Sequence, residues 1–333
     1  MLISVVVVNW NRKELLRACL RSLERQVDVR FETIVVDNGS ADGSAEMAER
    51  EFAVRVIRNR ENRGFCAANN QGIAAAQGEF LALLNNDAEA EPGWLAALLE
   101  ACNRRPDVGM AASKVLVWED PGRIDKVGHL IWPDGQNRGR GSGAADRGQY
   151  DREEDVLWPD GCACMYRRAM IDRIGGFDED FFAYGDDAEL GLRARIAGWT
   201  CIYTPRAVVR HHRGSTLGKG SARRLVLIER NRVLLALKLF PWSLLWLNPF
   251  YAAMRMAAGA RSAVRGDGDT AYFPGLRGKL TMAWALLRGD LAALWMAPRM
   301  LRKRRAVDRV RRLPAGDVRR LILAHRLPLR ETA

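Results

Sequence analysis

Residues 80–95 read FLALLNNDAEAEPGWL. The apolar run from Phe80 to Leu84 fits a strand covered on both faces. It stops on Asn85-Asn86-Asp87, and a tryptophan and a second apolar run follow. Two amides and a carboxylate do not extend a buried strand. They belong at its open end, where they either close an Asx-turn or face a ligand.

The same pattern recurs on the N-terminal side. ISVVVVNW (3–10) is a β-branched run, and RKELLRACLRSLERQ after it carries Leu15, Leu16, Cys19, Leu20 and Leu23 at helical spacing. FETIVVDNGS (31–40) predicts a second strand, GSAEMAEREF a helix, VRVIRN a third strand and FCAANNQGIAAAQ a helix leading into EFLALLNND. Strands alternating with helices predict a doubly wound α/β sheet with right-handed crossovers. Ligands of such sheets bind beyond the carboxyl ends of the strands. Asn9-Trp10-Asn11, Asp37-Asn38-Gly39-Ser40, Asn62-Arg63-Gly64 and Asn85-Asn86-Asp87 all fall at strand ends or just past them. One rim therefore collects four polar clusters.

Charge divides the chain. Residues 221–333 hold 23 Lys/Arg and 7 Asp/Glu, while the first 220 hold 29 and 33, so the whole excess behind the net +12 lies in the last third. That places a boundary near 220 and calls for an anionic partner beyond it. The six cysteines (Cys19, Cys66, Cys102, Cys162, Cys164, Cys201) form no CxxC and no regular ladder, and read as reduced thiols. Cys162 and Cys164 are two apart, share a strand face, and suit packing better than metal. Met1 runs almost directly into a strand, without a charged and apolar leader, so the expected location is the cytoplasm.

The rim chemistry excludes some ligands. Strand one is followed by NWNRKE, not G-x-G-x-x-G, and no G-x-x-x-x-G-K-[ST] occurs anywhere. Amides and carboxylates suit instead a pyrimidine edge, ribose hydroxyls and a divalent ion on a diphosphate. VVVVNWN, IVVDNGSADGS, ENRGFCAANNQGI, LLNNDAEAEPGWL, GCACMYRR and IGGFDEDFFAYGDDAELGLRARIAGW, in this order, resemble glycosyltransferase family 2 over about residues 3–216. The resemblance implies a GT-A fold, a Rossmann-like mixed sheet flanked by helices, inversion at the anomeric carbon and a nucleotide-sugar donor. NND, DRGQYD and a late RKRR are most similar to bacterial rhamnosyltransferases of surface-glycan assembly.

The resemblance also implies roles. Asn-Asn-Asp takes the position of an Asp-x-Asp motif reduced to one carboxylate, so Asp87 would ligate Mg²⁺ or Mn²⁺ and Asn86 would face the ribose or sugar. Asp37 would accept the base N3–H, with Asn9 beside it on the donor rim. Asn62, Gly64 and Phe65 would flank the base, the missing Cβ of Gly64 permitting close approach. Asn69, Asn70 and Gly72 lie on the next helix and either touch the ligand or support the loop. Asp187 takes the catalytic-base position, with Asp186, in place of a glutamate, as a substrate-binding residue beside it and Glu189 in place of an aspartate. A carboxylate N-cap accounts for one or two of these acids without any catalysis. VVRHHRGST (208–216) offers His211 or His212 to a metal or diphosphate, with a loop-packing imidazole as the alternative; Arg193, on the helix that Asp186 and Asp187 open, and Arg213 are candidate diphosphate partners, with solvated surface arginine as the alternative.

WPDGQNRGRGSGAADRGQY (132–150) is Gly-rich and charged, and reads as a mobile loop near the acceptor or a long surface excursion. Beyond 220, LVLIERNRVLLALKLFPWSLLWLNPFYAAM is apolar but interrupted; its longest uncharged run, Leu239–Met254, contains two prolines and is shorter than the ~20 residues a spanning helix needs. Tryptophans beside Arg/Lys suit a helix lying in the headgroup layer, and TMAWALLRGDLAALWMAPRMLRKRR is amphipathic with a basic end. A helical subdomain packed on the α/β core is the alternative. Nucleic acid is not expected, because the region is too apolar and lacks a binding motif. The expectation is a metal-dependent inverting transferase on the inner face of the cell membrane. Its donor is dTDP-rhamnose in preference to a UDP-sugar, and its acceptor a glycan or polyprenyl-diphosphate-linked glycan. A UDP-hexose transferase with a soluble acceptor and a catalytically silent nucleotide-sugar-binding scaffold are the alternatives.

Overall fold

The computed structural model describes residues 1–212, 220–265 and 268–332. The chain forms two units, one of Met1–His129, Gly139–Ala194 and Gly198–Arg213, the other of Leu130–Arg138, Arg195–Ala197 and Gly214–Ala333.

The first unit is built on a mixed sheet. Strands β1 (Leu2–Asn9), β2 (Arg30–Asp37), β3 (Arg55–Arg58) and β4 (Phe80–Leu84) run parallel in the spatial order β4-β1-β2-β3. Helices α1 (Lys13–Glu24), α2 (Ser44–Glu51) and α3 (Phe65–Ala75) make the crossovers. Leu16, Cys19, Leu20 and Leu23 of α1 are buried, as helical spacing requires. Ile3, Val5, Val6 and Val7 of β1 are covered on both faces, which explains the unbroken β-branched run.

After β4 the winding changes. The chain adds β5 (Ala88–Ala90), α4 (Trp94–Cys102), β6 (Val108–Val117), β7 (Ile124–Lys126), β8 (His129–Ile131), β9 (Asn137–Gly139) and β10 (Glu154–Asp155). There follow β11 (Ala163–Arg167), α5 (Arg168–Ile174), α6 (Asp186–Ile196) and β12 (Thr200–His211). β11 inserts between β4 and β6, antiparallel to both, and β12 lies parallel to β6 on its far side. β5 pairs with the end of β12, and β7 with β6. Register matters here: Ala88 of β5 faces His211 of β12, which brings the residue after Asp87 against the last residue of the returning strand.

The second unit is helical: α7 (Ala222–Leu239), α8 (Trp242–Leu245), α9 (Asn248–Arg265), α10 (Gly275–Val310) and α11 (Ala315–Ala324). Leu227, Leu234, Leu235 and Leu239 of α7 are buried, so the first part of the interrupted apolar stretch is core rather than an interfacial helix. A Cβ on Gly289 of α10 would lie 2.8 Å from Glu229 Cβ, so glycine is what lets these helices approach closely. The turn between β8 and β9 belongs to this unit. Its Asp134 is fully buried and accepts from Arg255 Nε at 2.6 Å. Arg255 and Arg232 both reach Glu229 at 2.7 Å, and Arg232 Nη1 donates to the Asp134 carbonyl. Residues 132–138 are therefore tied into a buried ion network, and the mobile-loop expectation is corrected there. Among the described residues no helix is long and apolar enough to cross a membrane.

Candidate active site

Parallel β4, β1 and β2 end on one rim, and their terminal side chains bond to one another. Asn86 Nδ2 donates to Asn9 Oδ1 at 2.6 Å, and Asn9 Nδ2 donates to Asp37 Oδ2 at 3.2 Å. The remaining oxygen of Asp37 accepts from the Ser40 backbone N–H at 2.9 Å, an Asx-turn closing DNGS. All three side chains are buried, with Asp37 3% exposed. The turn reading and the rim reading thus coexist: local hydrogen bonds fix the row of polar ends.

Asp87 continues that row toward β12. His211 Nε2 lies 3.3 Å from Asp87 Oδ1, and its Nδ1 lies 2.7 Å from Asp125 Oδ2 of β7. A carboxylate behind an imidazole fixes the ring and leaves its other nitrogen aimed forward. Burial disfavours the imidazolium, but Cys162, Asp125 and Asp87 around it hold the His211 pKa well above the ordinary value. The site asks for positive charge.

The doublet is resolved by strand geometry, because adjacent residues point to opposite faces. His212 stacks on Trp118 with ring centroids 4.5 Å apart and has its Nδ1 3.5 Å from Glu119; its backbone N–H, not its imidazole, contacts Asp87. The expected metal role of His212 is corrected accordingly. Arg213 lies outside the described residues.

Asp186 and Asp187 open α6, as the N-terminal position of the acids suggested. Asp186 is 6% exposed, and burial together with the Asp187 carboxylate pushes its pKa up to about 8. Asp187 is more open, with 13% of its side chain exposed, and its own pKa is raised by burial against the pull of His129. Its Oδ1 accepts from the Ala188 N–H at 2.7 Å, leaving Oδ2 facing the Gly161 N–H at 3.4 Å and His129 Nε2 at 3.4 Å. His129 Nε2 also lies 2.8 Å from Asp160 Oδ2, and Lys126 Nζ donates to that same oxygen at 2.7 Å. Burial raises the Asp160 pKa, but Lys126 and His129 overcome it and hold the carboxyl well below its usual range.

Asp125, Lys126, His129 and Asp160 were not picked out from the sequence. The available signal was DKVGH (125–129) and PDG (159–161), charged residues set among apolar ones on either side of the loop region. Adjacent residues of β7 serve the two halves of the site: Asp125 holds His211, and Lys126 holds Asp160.

Three expected binders turn out otherwise engaged. Arg193 is 5% exposed, pairs with Glu189 at 2.8 Å, and donates to the carbonyls of Ile174, Gly175 and Gly176. It fixes the loop ahead of Phe177 and has no donor left for a diphosphate; Glu189 is its counter-ion. Gly64, at φ +86°, has the Phe182 ring 2.5 Å from where a Cβ would stand, so that space belongs to an aromatic ring and not to a base. Asn62 accepts from Asn38 Nδ2 and the Gly64 N–H and shapes its own loop. Asn70 plays a supporting part as well, clamping both backbone groups of Phe177 at 2.9 Å. Phe182 and Tyr184, in the aromatic run before Asp186, both sit at positive φ. Non-glycine residues held there mark a segment constrained by its surroundings.

Known proteins carry the same architecture. A mannosyltransferase from Pyrobaculum calidifontis, solved with GDP-Man and Mn²⁺, superposes with a TM-score of 0.53 at 20% identity, covering 88% of this chain and 87% of that one. The fold is thus the mixed-sheet GT-A arrangement with C-terminal helices. The N-acetylglucosaminyl-diphospho-decaprenol L-rhamnosyltransferase of Mycobacterium tuberculosis is 28% identical over 287 residues, 78% of this chain and 91% of that one. The uncharacterized protein y4gI of Sinorhizobium fredii is 32% identical over 240 residues, and the match spans only 25% of its length. The family model for glycosyl transferase family 2 matches residues 4–175, and the chain belongs to that family.

Proposed function

We propose that the chain is an inverting glycosyltransferase in which Asp187 is the general base. It moves a sugar, rhamnose in preference to a hexose, from a pyrimidine nucleotide to a hydroxyl of a lipid-linked glycan. The observation that carries this is the pair of coupled carboxylate centres joined through β7, Asp87–His211 on one side and Asp187 on the other. The rhamnosyltransferase relative supports the sugar and the lipid-linked acceptor, and with it a peripheral location on the inner membrane face.

The chemistry follows from the environment. Burial and the Asp187 carboxylate raise the Asp186 pKa, while His129 and Lys126 pull Asp187 the other way, which favours Asp187 as the charged member of the pair. The acceptor oxygen attacks the anomeric carbon as the bond to the diphosphate oxygen breaks. The hydroxyl proton passes to Asp187 Oδ2, late, once the new C–O bond has acidified it. His129, anchored by Asp160 and Lys126, holds Oδ2 in place. Asn9, Asp37 and Asn86 line the donor side.

Asp87 and His211 would hold Mg²⁺ or Mn²⁺: a carboxylate oxygen and an imidazole nitrogen converge in a buried site whose surroundings favour positive charge. Bound there, the ion would neutralise charge on the departing nucleoside diphosphate. His129, Asp160 and Asp187 also have ligand types for a cation. Lys126 already supplies the positive charge at that oxygen, which favours the Asp87 side.

Asp187→Asn tests the base. Turnover should fall by about 10²–10⁴, the usual size of a general-base contribution, with donor affinity nearly unchanged. Near-wild-type turnover would move the base elsewhere, and loss of donor binding would make Asp187 a binding residue.

A further inference from the structure

Helix α10 is apolar on two opposite faces. Ala285, Gly289, Ala293, Met300 and Val307 are buried on one side. Leu280, Trp284, Leu287, Leu291, Leu294 and Trp295 are between 48% and 86% exposed. At about 100° per residue these six fall within roughly 100° of arc, on the side away from the buried set, along about 22 Å of helix. Apolar burial explains the first face. Nothing in the described fold covers the second.

The charges beside the exposed stripe identify its partner. Arg277, Arg288 and Arg299 are exposed and eleven residues apart, so they form a row along one edge, continued by Arg302. Between Gly275 and Val307 the helix has one acidic residue, Asp290, and that side chain bonds to Arg232. The 4–3–4–3 spacing from Leu280 to Leu294 would also suit a coiled coil with a second copy. Such a pairing would set one unrelieved row of arginines near another, without the acids that normally flank a seam. An apolar stripe with tryptophans, edged by cations alone, matches the interface of an anionic bilayer.

We propose that α10 lies flat in the headgroup layer of an anionic membrane, its leucines and tryptophans inserted and its arginine row on the lipid phosphates. The proposal deepens the reading that the enzyme works at a membrane and rests on it.

The test is cosedimentation of the full chain with phosphatidylcholine–phosphatidylglycerol vesicles, against phosphatidylcholine vesicles alone. Wild type should pellet with the anionic vesicles and be partly released by high salt. Leu287→Glu/Leu291→Glu should weaken the partition by at least about tenfold, since it removes inserted side chains and adds repelled ones. Arg277→Gln/Arg288→Gln/Arg299→Gln should weaken it roughly a hundredfold at low salt and abolish most of the salt sensitivity. Both changes are on the surface, so the melting-point rise caused by nucleoside diphosphate with Mn²⁺ should persist and certify folding. If the leucine variant binds vesicles as wild type does, α10 is not the docking face while the membrane reading stands. If wild type ignores anionic vesicles, the membrane reading itself falls. If wild type is also a dimer that the leucine variant turns into a monomer, the stripe is a subunit contact.

Discussion

Asp186 and Glu229 are both buried acids, 6% and 1% exposed, and their surroundings drive them in opposite directions. Burial raises both. For Glu229, the guanidinium groups of Arg232 and Arg255 overcome burial and hold the carboxyl below its usual range. Asp186 has a second carboxylate beside it instead, and rises to about 8. In the helical unit the buried acids Asp134 and Glu229 meet the buried cations Arg232 and Arg255, and the network fastens the β8–β9 turn to α7 and α9. At the rim Asp186 and Asp187 stand side by side, and in the proposed function such an imbalance is where a reaction's proton would be received.

Four changes probe that contrast. The largest effect is expected from Arg255→Met, which leaves Asp134 and Glu229 with one fewer cation in a dry site. Breaking a buried pair from one side costs about 3–5 kcal/mol, readable as a lower denaturant midpoint. A loss below about 1 kcal/mol, the level of a surface pair, would mean the network is wetter than its geometry implies. Next, Asp87→Ala should abolish the Mn²⁺-dependent enhancement of nucleoside diphosphate binding, since no adjacent acid in Asn85-Asn86-Asp87 can substitute. Calorimetry with and without the ion decides; equal enhancement in variant and wild type would transfer the cation to the His129 side.

His129→Ala should lower kcat by up to roughly a hundredfold through a misplaced Asp187, while donor KM stays put. A matching rise in KM would make His129 a binding residue rather than a positioning one. The last change is Asp186→Asn. An acid with a raised folded-state pKa contributes stability that is fully present below its unfolded value, about 3.9, and is lost as pH rises through its folded value. Wild type should therefore lose melting temperature between about pH 4 and 8, and the variant should lose less. Parallel melting profiles would make Asp186 an ordinary carboxylate.

How much of this was legible in the sequence depends on range. β1 and β4 announce themselves by apolar runs and β2 by its Ile34-Val35-Val36 end, and Asn9, Asp37 and Asn86 stand at or just past those ends. Parallel strands then force those ends together, so this polar rim could be read directly. Asp125, Lys126 and His129 sit on a three-residue strand and the turn after it, too short to show a period. Only the antiparallel insertion of β11 and the return of β12 give these residues their partners. Arg193 was misjudged because an arginine four residues after Glu189 looks the same on paper whether it faces solvent or the carbonyls of Gly175 and Gly176. Asp134 sits in a Gly-rich stretch and owes its order to arginines about a hundred residues away. The amphipathic character of α10 was visible, but its two-sidedness required knowing which face α7 covers.

The cysteines hold a practical consequence. All six are buried thiols, and all six lie in the first unit, with none among the described residues of the helical one. Burial pushes the thiols of Cys19, Cys66 and Cys164 well above their ordinary values, and that of Cys102 up to about 12. The thiolate is the reactive form, so a native chain should be nearly silent toward an alkylating or disulfide reagent. Reagent uptake then clocks the opening of the first unit alone. Comparing that clock with loss of helical signal, in wild type and in Arg255→Met, would report whether the two units melt as one cooperative body or as two.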